Sequence, residues 1–244
     1  MIKYFEQNYN DIKDHAKDEY PNECVGIIFH DEYFRLSNIA EDKSNNFLVD
    51  PQEWIQYDGL NDIQCVIHSH NNYPHASTTD QEQQLRLGIP FGIANVINKS
   101  VTDIFFWGDS LEPQHLLERK FHQGVYDCYS LIRDYYRMNG LTLPYGVREF
   151  GFWEEGIDLI MENIYRIPFK EVRMEEAKTH DLLLYSISGK KIDHCAVFLN
   201  NGWVLHHLVD QLSGLKPISY LHECIVKVYR YKGDTNEWKH NITR

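Results

Sequence analysis

The stretch from His68 to Asp80 reads HSHNNYPHASTTD and completes the run IQCVIHSH, a short apolar segment with β-branched residues that predicts a strand. Residues two apart on a strand share a face, so His68 and His70 project to the same side. Ser77-x-x-Asp80 fits the capping box of a helix, DQEQQLRLG, that stops at Gly88. Two imidazoles and a carboxylate at a strand-to-helix junction suffice for three ligands of a tetrahedral ion. A water would take the fourth position. A capping box alone also accounts for Ser77 and Asp80, HxH pairs are common, and His75 adds a competing imidazole.

Outward from this stretch the pattern mixes strands and helices. Apolar positions recur at helical spacing from Tyr4 to Tyr20, and Pro21 marks a boundary. CVGIIF and YFRLSNIA read as strands, AEDKSNN as a loop, and DPQEWIQYDGL as a capped helix with Pro51 in its first turn. GIANVI and VTDIFFWG close a first domain near Trp107. DSLEPQHLLERKF is a charged, proline-containing connector. Beyond it DCYSLIRDYYRMNG predicts a helix capped by Asp127 and stopped at Gly140. A further helix is expected near Ile157 to Tyr165. The segments DLLLYS, HCAVFL, WVLHHL and CIVKVYRY then predict a β-meander, with NNG as a hairpin signal. The expected fold class is α+β in two domains, residues 1–113 and 114–244.

Bulk properties exclude several classes of function. The chain has 244 residues, 43% hydrophobic and 14% aromatic, enough for real cores. A formal charge of -12, without a basic stripe, argues against binding to a nucleic-acid backbone, and no Lys/Arg cluster is present to attract anionic lipid. The five cysteines are odd in number, dispersed and free of CxxC pairs, which predicts a reducing compartment rather than a disulfide framework. The N-terminus is polar, so no signal peptide is expected. No run approaches the roughly 18 apolar residues of a membrane span.

Cys128 follows Asp127 at the start of a helix whose apolar positions include Leu131, Ile132 and Tyr135. A thiol there feels the positive end of the helix dipole, and a nearby imidazolium would further favour the thiolate that a nucleophile needs. Packing as a small apolar residue accounts equally well for any one cysteine. Cys24, Cys65, Cys195 and Cys224, in or beside apolar runs, are read that way. His15, His30, His115, His122, His222 and His240 are read as surface or packing residues.

Two family resemblances sharpen these readings. YPNECVGII, then HSH, then Ser77-x-x-Asp80 resembles the JAMM metallopeptidase family, as does the lead-in HAKDEYPNEC. That resemblance implies a cytidine-deaminase-like α/β domain holding Zn²⁺ through His68, His70 and Asp80. Glu23 becomes the general acid/base, and Ser77 helps to hold the oxyanion. The sequence departs from the family in Asn71, usually proline, and in a His70-to-Ser77 gap one residue shorter than usual.

FHQGVYDCYSLIRDYYRMNG, HDLLLY and DHCAVFLNNGWVLHHL, in that order, resemble the papain-like NlpC-type cysteine peptidases, which cleave cell-wall peptides. The match implies Cys128 as nucleophile, His194 as base and His206 as the residue that orients the base. Hairpin register bears on that last role. A two-residue turn at Asn201-Gly202 would put His207 on the face of His194, whereas a three-residue loop from Asn200 to Gly202 would put His206 there. The family spacing selects His206. Departures are Phe121 for tyrosine, Tyr129 for serine and His180 for glycine.

The pairing of the two domains, from about His15 to Arg230, resembles the tail-tip assembly proteins of lambda-like bacteriophages. It implies synthesis in the host cytoplasm and a place in the virion tail tip. The implied chemistry is zinc-dependent (iso)peptide hydrolysis and thiol-dependent hydrolysis of wall peptides. The implied partners are other tail-tip proteins, a ubiquitin-like tail protein and the peptidoglycan peptide. Two other readings stay open: a structural tail-tip plug with decayed sites, and a deubiquitinase-like isopeptidase with a C-terminal binding module.

Overall fold

The computed structural model describes residues 4–57, 62–154, 159–189 and 191–238. The chain divides into two compact units, Met1–Glu112 and Pro113–Arg244.

The first unit is a five-stranded mixed sheet. Its strands are β1 (Val25–Phe29), β2 (Glu32–Leu36), β3 (Ile63–Asn71), β4 (Phe91–Ile97) and β5 (Ser100–Trp107), in the order β2-β1-β3-β4-β5. All neighbours are antiparallel except β3 and β4, which run parallel. A parallel pair requires a crossover, and α3 (Thr78–Leu87) supplies it. Helix α1 (Tyr9–Glu19) packs Ile12 and Ala16 against Cys65 and Ile67 of β3 and Ala94 and Val96 of β4. Alternation along β3 therefore sends His68 and His70 to the opposite face. The helix expected from DPQEWIQYDGL contracts to one turn, α2 (Pro51–Trp54), capped by the Asp50 carboxylate; Asp58 to Leu60 of that segment lie outside the described residues.

The second unit packs α4 (Cys128–Met138) on a six-stranded antiparallel sheet, with α5 (Leu159–Ile164) in the same core. The strands are β6 (Phe169–Val172), β7 (Leu182–Tyr185), β8 (His194–Phe198), β9 (Trp203–His206), β10 (Gly214–Pro217) and β11 (Ile225–Tyr231), in the order β10-β9-β8-β7-β11-β6. Leu131, Ile132, Tyr135 and Tyr136 of α4 bury against Leu182, Leu184, Val197 and Leu205. Cutting Leu131 to alanine in this core should cost about 2–5 kcal/mol.

The sheet is not the simple meander expected. β11 crosses over to pair with β7 instead of following β9, and β6 and β10 are additional strands. β9's outer edge is taken by β10, whose four residues GLKP carry one leucine and a proline and so give no alternating signal. β6, FKEV, exposes its two charged residues and is equally short. Among the described residues no helix is long and apolar enough to cross a membrane.

Candidate functional sites

In the first unit, β1 and β3 pair with Val25 opposite His68. Continuing that antiparallel register two residues further sets Glu23 opposite His70. The junction is tied by Cys24 N–H donating to Ser69 Oγ at 2.8 Å and by Ser69 N–H donating to Cys24 O at 3.1 Å. Asn71, at the position where the family usually has proline, donates to Pro21 O at 2.7 Å and so secures the end of β3 to the approach of β1. From the crossover, α3 brings Asp80 in through its cap. Ser77 Oγ donates to Asp80 Oδ2 at 2.7 Å and accepts from Asp80 N–H at 3.1 Å.

His68, His70 and Asp80 are buried and converge: Nε2 to Nε2 is 3.0 Å, His68 Nε2 to Asp80 Oδ1 is 3.2 Å, and His70 Nε2 to Asp80 Oδ2 is 3.3 Å. Ligand atoms around a tetrahedral Zn²⁺ with bonds of 2.0–2.1 Å lie about 3.3–3.4 Å apart, so this N, N, O set has the size and chemistry for that ion. Burial pulls the His68 imidazole toward its neutral form. Against the cost of burial, His68 and His70 hold Asp80 as a carboxylate. For His68 and Asp80 those are the ligating forms; His70 shifts the other way, because against burial Asp80 and Glu23 favour its imidazolium. Glu23 lines the same cavity of about 610 Å³ as His70, Ser77 and Asp80, and burial pushes its carboxyl up to about 7.

Two more residues of the sequence reading find their places here. Ser77, which the resemblance implies helps to hold an oxyanion, donates its hydroxyl to Asp80 and holds that carboxylate in place. His75, the competing imidazole, does not join the cluster.

In the second unit, Asp127 caps α4 by accepting from Ser130 N–H at 2.8 Å and leaves Cys128 on the first turn, half-buried. The thiol opens into a cleft of about 370 Å³ that His194, His207, Phe152, Trp153 and Ile187 also line. Hydrogen bonds from the Cys195 thiol and from His194 favour the Cys128 thiolate over burial, lowering its pKa to about 5. Cys195 shifts in the opposite direction, because it is fully buried beside that thiolate. Burial also pushes Cys24 up to about 12 and Cys65 well above the ordinary thiol range. The Cys128 thiol is thus shifted toward thiolate, while Cys195, Cys24 and Cys65 are shifted away from it.

The β8–β9 hairpin closes through a three-residue turn, Asn200–Gly202, with Leu199 N–H donating to Trp203 O at 2.8 Å. Ala196 then pairs with His206, which puts His206 on the face of His194. The two rings lie edge to face with centroids 5.6 Å apart. The buried Nε2 of His194 has no hydrogen-bond partner among the described residues. Burial lowers the His206 pKa to about 3, so it is a neutral ring at physiological pH. His207 turns toward the cleft, meets Gln211 O at 3.1 Å and packs edge-on to Phe121. His180, in place of a glycine, sits at φ 75°, with Nδ1 2.6 Å from Tyr135 Oη.

Besides Cys195, sequence reasoning missed three residues around Cys128 and His194. Tyr185 pairs with His194 across β7–β8, with ring centroids 5.3 Å apart. Asp193 accepts from the backbone N–H groups of Ile187 and Ser188 and so fixes the cleft wall. Arg148 is fully buried against Asp127. Adjacency to Cys128 or His194 was the available signal for Cys195 and Asp193. Arg148 had none. Of the other cysteines, Cys24 and Cys65 are buried as read, whereas Cys224 is only half-buried. His15 and His122 are buried and His30 is exposed, while His240 lies outside the described residues.

Residues 104–234 match the model of the NlpC/P60 family. The chain is similar to tail tip assembly protein K of Escherichia phage lambda, 29% identical over 168 residues that cover 68% of this chain and 79% of that protein. To the protein of the same name from Escherichia phage N15 it is 27% identical over 235 residues, covering 91% and 93%. Among solved structures, an NLP/P60 family protein of Staphylococcus aureus described as similar to lipoprotein aligns with TM-score 0.35 and 21% identity over 48% of this chain; the alignment spans only 37% of that structure. RipD of Mycobacterium tuberculosis, described as a non-catalytic NlpC/p60 domain protein adapted to peptidoglycan binding, aligns with TM-score 0.31 and 20% identity over 45% and 68% of the two chains. With the family model matched across more than half of its residues, the chain belongs to the NlpC/P60 family.

Proposed function

We propose that this chain is a bacteriophage tail-tip assembly protein with a thiol peptidase site for cell-wall peptides in its second unit and a zinc peptidase site in its first. The observation that carries the reading is a partly buried Cys128 thiol at the start of α4, beside His194 and lining a mostly apolar cleft. Similarity to two phage tail tip assembly proteins supports the setting. The partners that follow are other tail proteins, a ubiquitin-like one among them, and the peptide of peptidoglycan.

In the second unit the Cys128 thiolate attacks the scissile carbonyl carbon, and His194 as imidazolium gives its proton to the departing amine. A thioester to Cys128 remains. Water, deprotonated by the now neutral His194, attacks that thioester and releases the acid and the thiol. His206, neutral and on the same face, steadies the His194 ring by edge-to-face contact rather than by a hydrogen bond.

In the first unit, Zn²⁺ held by His68, His70 and Asp80 would lower the pKa of a bound water to about 7. With the ion bound, the Glu23 carboxylate lining that cavity would be the group to take up a proton from water and return it to the leaving amine. Ser77 keeps Asp80 oriented through the cap.

The test is digestion of muropeptides containing a γ-D-glutamyl linkage by the whole chain and by Cys128→Ser, with bound zinc measured on the same preparations. Cleavage by wild type and none by Cys128→Ser is the expected result. Wild-type protein that binds the muropeptide without cutting it would make the second unit a binding module. Cleavage that survives Cys128→Ser would place the chemistry elsewhere.

A further inference from the structure

We infer that Arg148 is a positioning residue for the Cys128 nucleophile: its guanidinium locks the turn that presents the thiol and cancels the charge of the capping carboxylate beside it. This rests on the peptidase reading of the second unit and goes beyond its three-residue machinery.

The capping residue creates an electrostatic problem. Asp127 must be ionised to cap α4 well, yet it is covalently next to the group that has to become a thiolate. A carboxylate there disfavours the thiolate by like-charge repulsion, and the shift at Cys128 includes that opposing contribution. Asp127 is itself almost fully buried, so water cannot screen it.

Arg148 answers from a loop beyond α4. Nε donates to Asp127 Oδ2 at 2.8 Å and Nη2 to Asp127 Oδ1 at 3.1 Å, a two-pronged pairing with both carboxylate oxygens. Nη2 also donates to Gly124 O at 2.7 Å and Ser130 Oγ at 2.8 Å. One side chain thereby holds the residue four before Cys128, the residue immediately before it and the residue two after it. Nη1 donates to Gly146 O in its own loop. The guanidinium stacks over Tyr129 at 4.9 Å and Tyr145 at 5.4 Å, and Tyr145 Oη donates to Gly124 O at 2.8 Å. Gly124, at φ 82°, is the left-handed corner of the turn.

Buried arginine–aspartate pairs often do no more than hold a fold. This one differs in its location. Arg148 lines the cleft together with Cys128, and its loop continues into Phe152 and Trp153 of the cleft wall. The same contacts that fix the thiol fix the wall against which substrate must lie. A lysine would keep the charge but not the fork, which alone reaches both carboxylate oxygens and the Gly124 carbonyl.

The experiment measures the pH dependence of iodoacetamide alkylation at Cys128, read by mass spectrometry of its peptide, on the whole folded chain. Cys128 is faced by Asp127 and Arg148, by Asp193 just before β8, by His194 and Cys195 on β8, and by His207 after β9. The variants change only the first two. Arg148→Met should move the alkylation midpoint up by about one pH unit or more, because Asp127 is left uncancelled. Asp127→Asn with Arg148→Met should bring it back to near wild type. Arg148→Lys should keep the midpoint yet lower kcat for muropeptide cleavage about tenfold or more with KM little changed. An unmoved midpoint in folded Arg148→Met, or a shift that persists in the double variant, overturns the inference. If Arg148→Met gives no cooperative melt, Arg148→Lys decides, and wild-type kcat there overturns it. Wild-type Cys128 no more reactive than Cys24 defeats the peptidase reading and this inference together. A reactive wild type with unresponsive variants defeats the inference alone.

Discussion

His206 shares a face with His194 because the β8–β9 hairpin turns over three residues, and the two rings meet edge to face at 5.6 Å. His207, the next residue, points to the other face and into the cleft beside Cys128. The two histidines therefore fail differently when removed. His206→Ala should cut kcat for wall-peptide cleavage by about 10²-fold, within the range for disturbed proton transfer, while Cys128 stays alkylatable. His207→Ala should mainly raise KM and lower the melting temperature, since its ring packs on Phe121 and meets Gln211 O. Steady-state kinetics on both variants separates the roles; an equal kcat loss in His207→Ala would contradict the assignment.

The Cys195 thiol and the His194 ring both favour the thiolate of Cys128 by hydrogen bonding. Because the Cys128 pKa is lowered, thiolate predominates at all pH values above about 5, and alkylation should slow only below that point. Cys195→Ala removes the S–H donor. The alkylation midpoint should then rise, yet stay under the free-thiol value of about 8.5, because His194 remains. Cys195→Ser, which keeps an O–H donor, should restore most of the shift. A midpoint identical in wild type and Cys195→Ala would show that the second cysteine only packs.

Much of this arrangement was legible in the sequence, for identifiable reasons. Strong local signals survived folding: the Ser77 capping box, the Asp127 cap, the Gly88 stop and the alternation that puts His68 and His70 on one face. The hairpin register was decidable because only two loop lengths were open and each sends a different histidine to the face of His194. What stayed hidden depends on long-range contact. The pairing of β11 with β7 leaves no mark in either strand's own pattern. Arg148 lies in a loop without regular structure, and nothing local distinguishes it from a solvated arginine until the fold buries it on Asp127. Ser77's role depends on the direction of a hydroxyl, which spacing cannot specify.

The three ligand atoms of His68, His70 and Asp80 converge to within 4.8 Å and are spaced for a tetrahedral ion. One Zn²⁺ per chain should bind, measured by elemental analysis after dialysis against trace metal. His68→Ala leaves an N, O pair and should weaken binding by several orders of magnitude. Stoichiometric zinc in the His68→Ala, His70→Ala double variant would rule the site out.

Glu23 tests whether the first unit is catalytic. The β1–β3 register sets it opposite His70, and it lines the cavity without belonging to the converging ligand set. Glu23→Gln keeps the size and hydrogen-bonding capacity of the side chain but cannot take up a proton. Zinc content should therefore be unchanged. Hydrolysis of a peptide or isopeptide substrate by this unit, assayed in a Cys128→Ser background to silence the second site, should fall by about 10²- to 10⁴-fold. Glu23→Asp, one methylene shorter, should recover part of the rate. Two outcomes would contradict the role. Loss of zinc in Glu23→Gln would make Glu23 a ligand, and an unaltered rate with zinc retained would mean that the proton travels by another group.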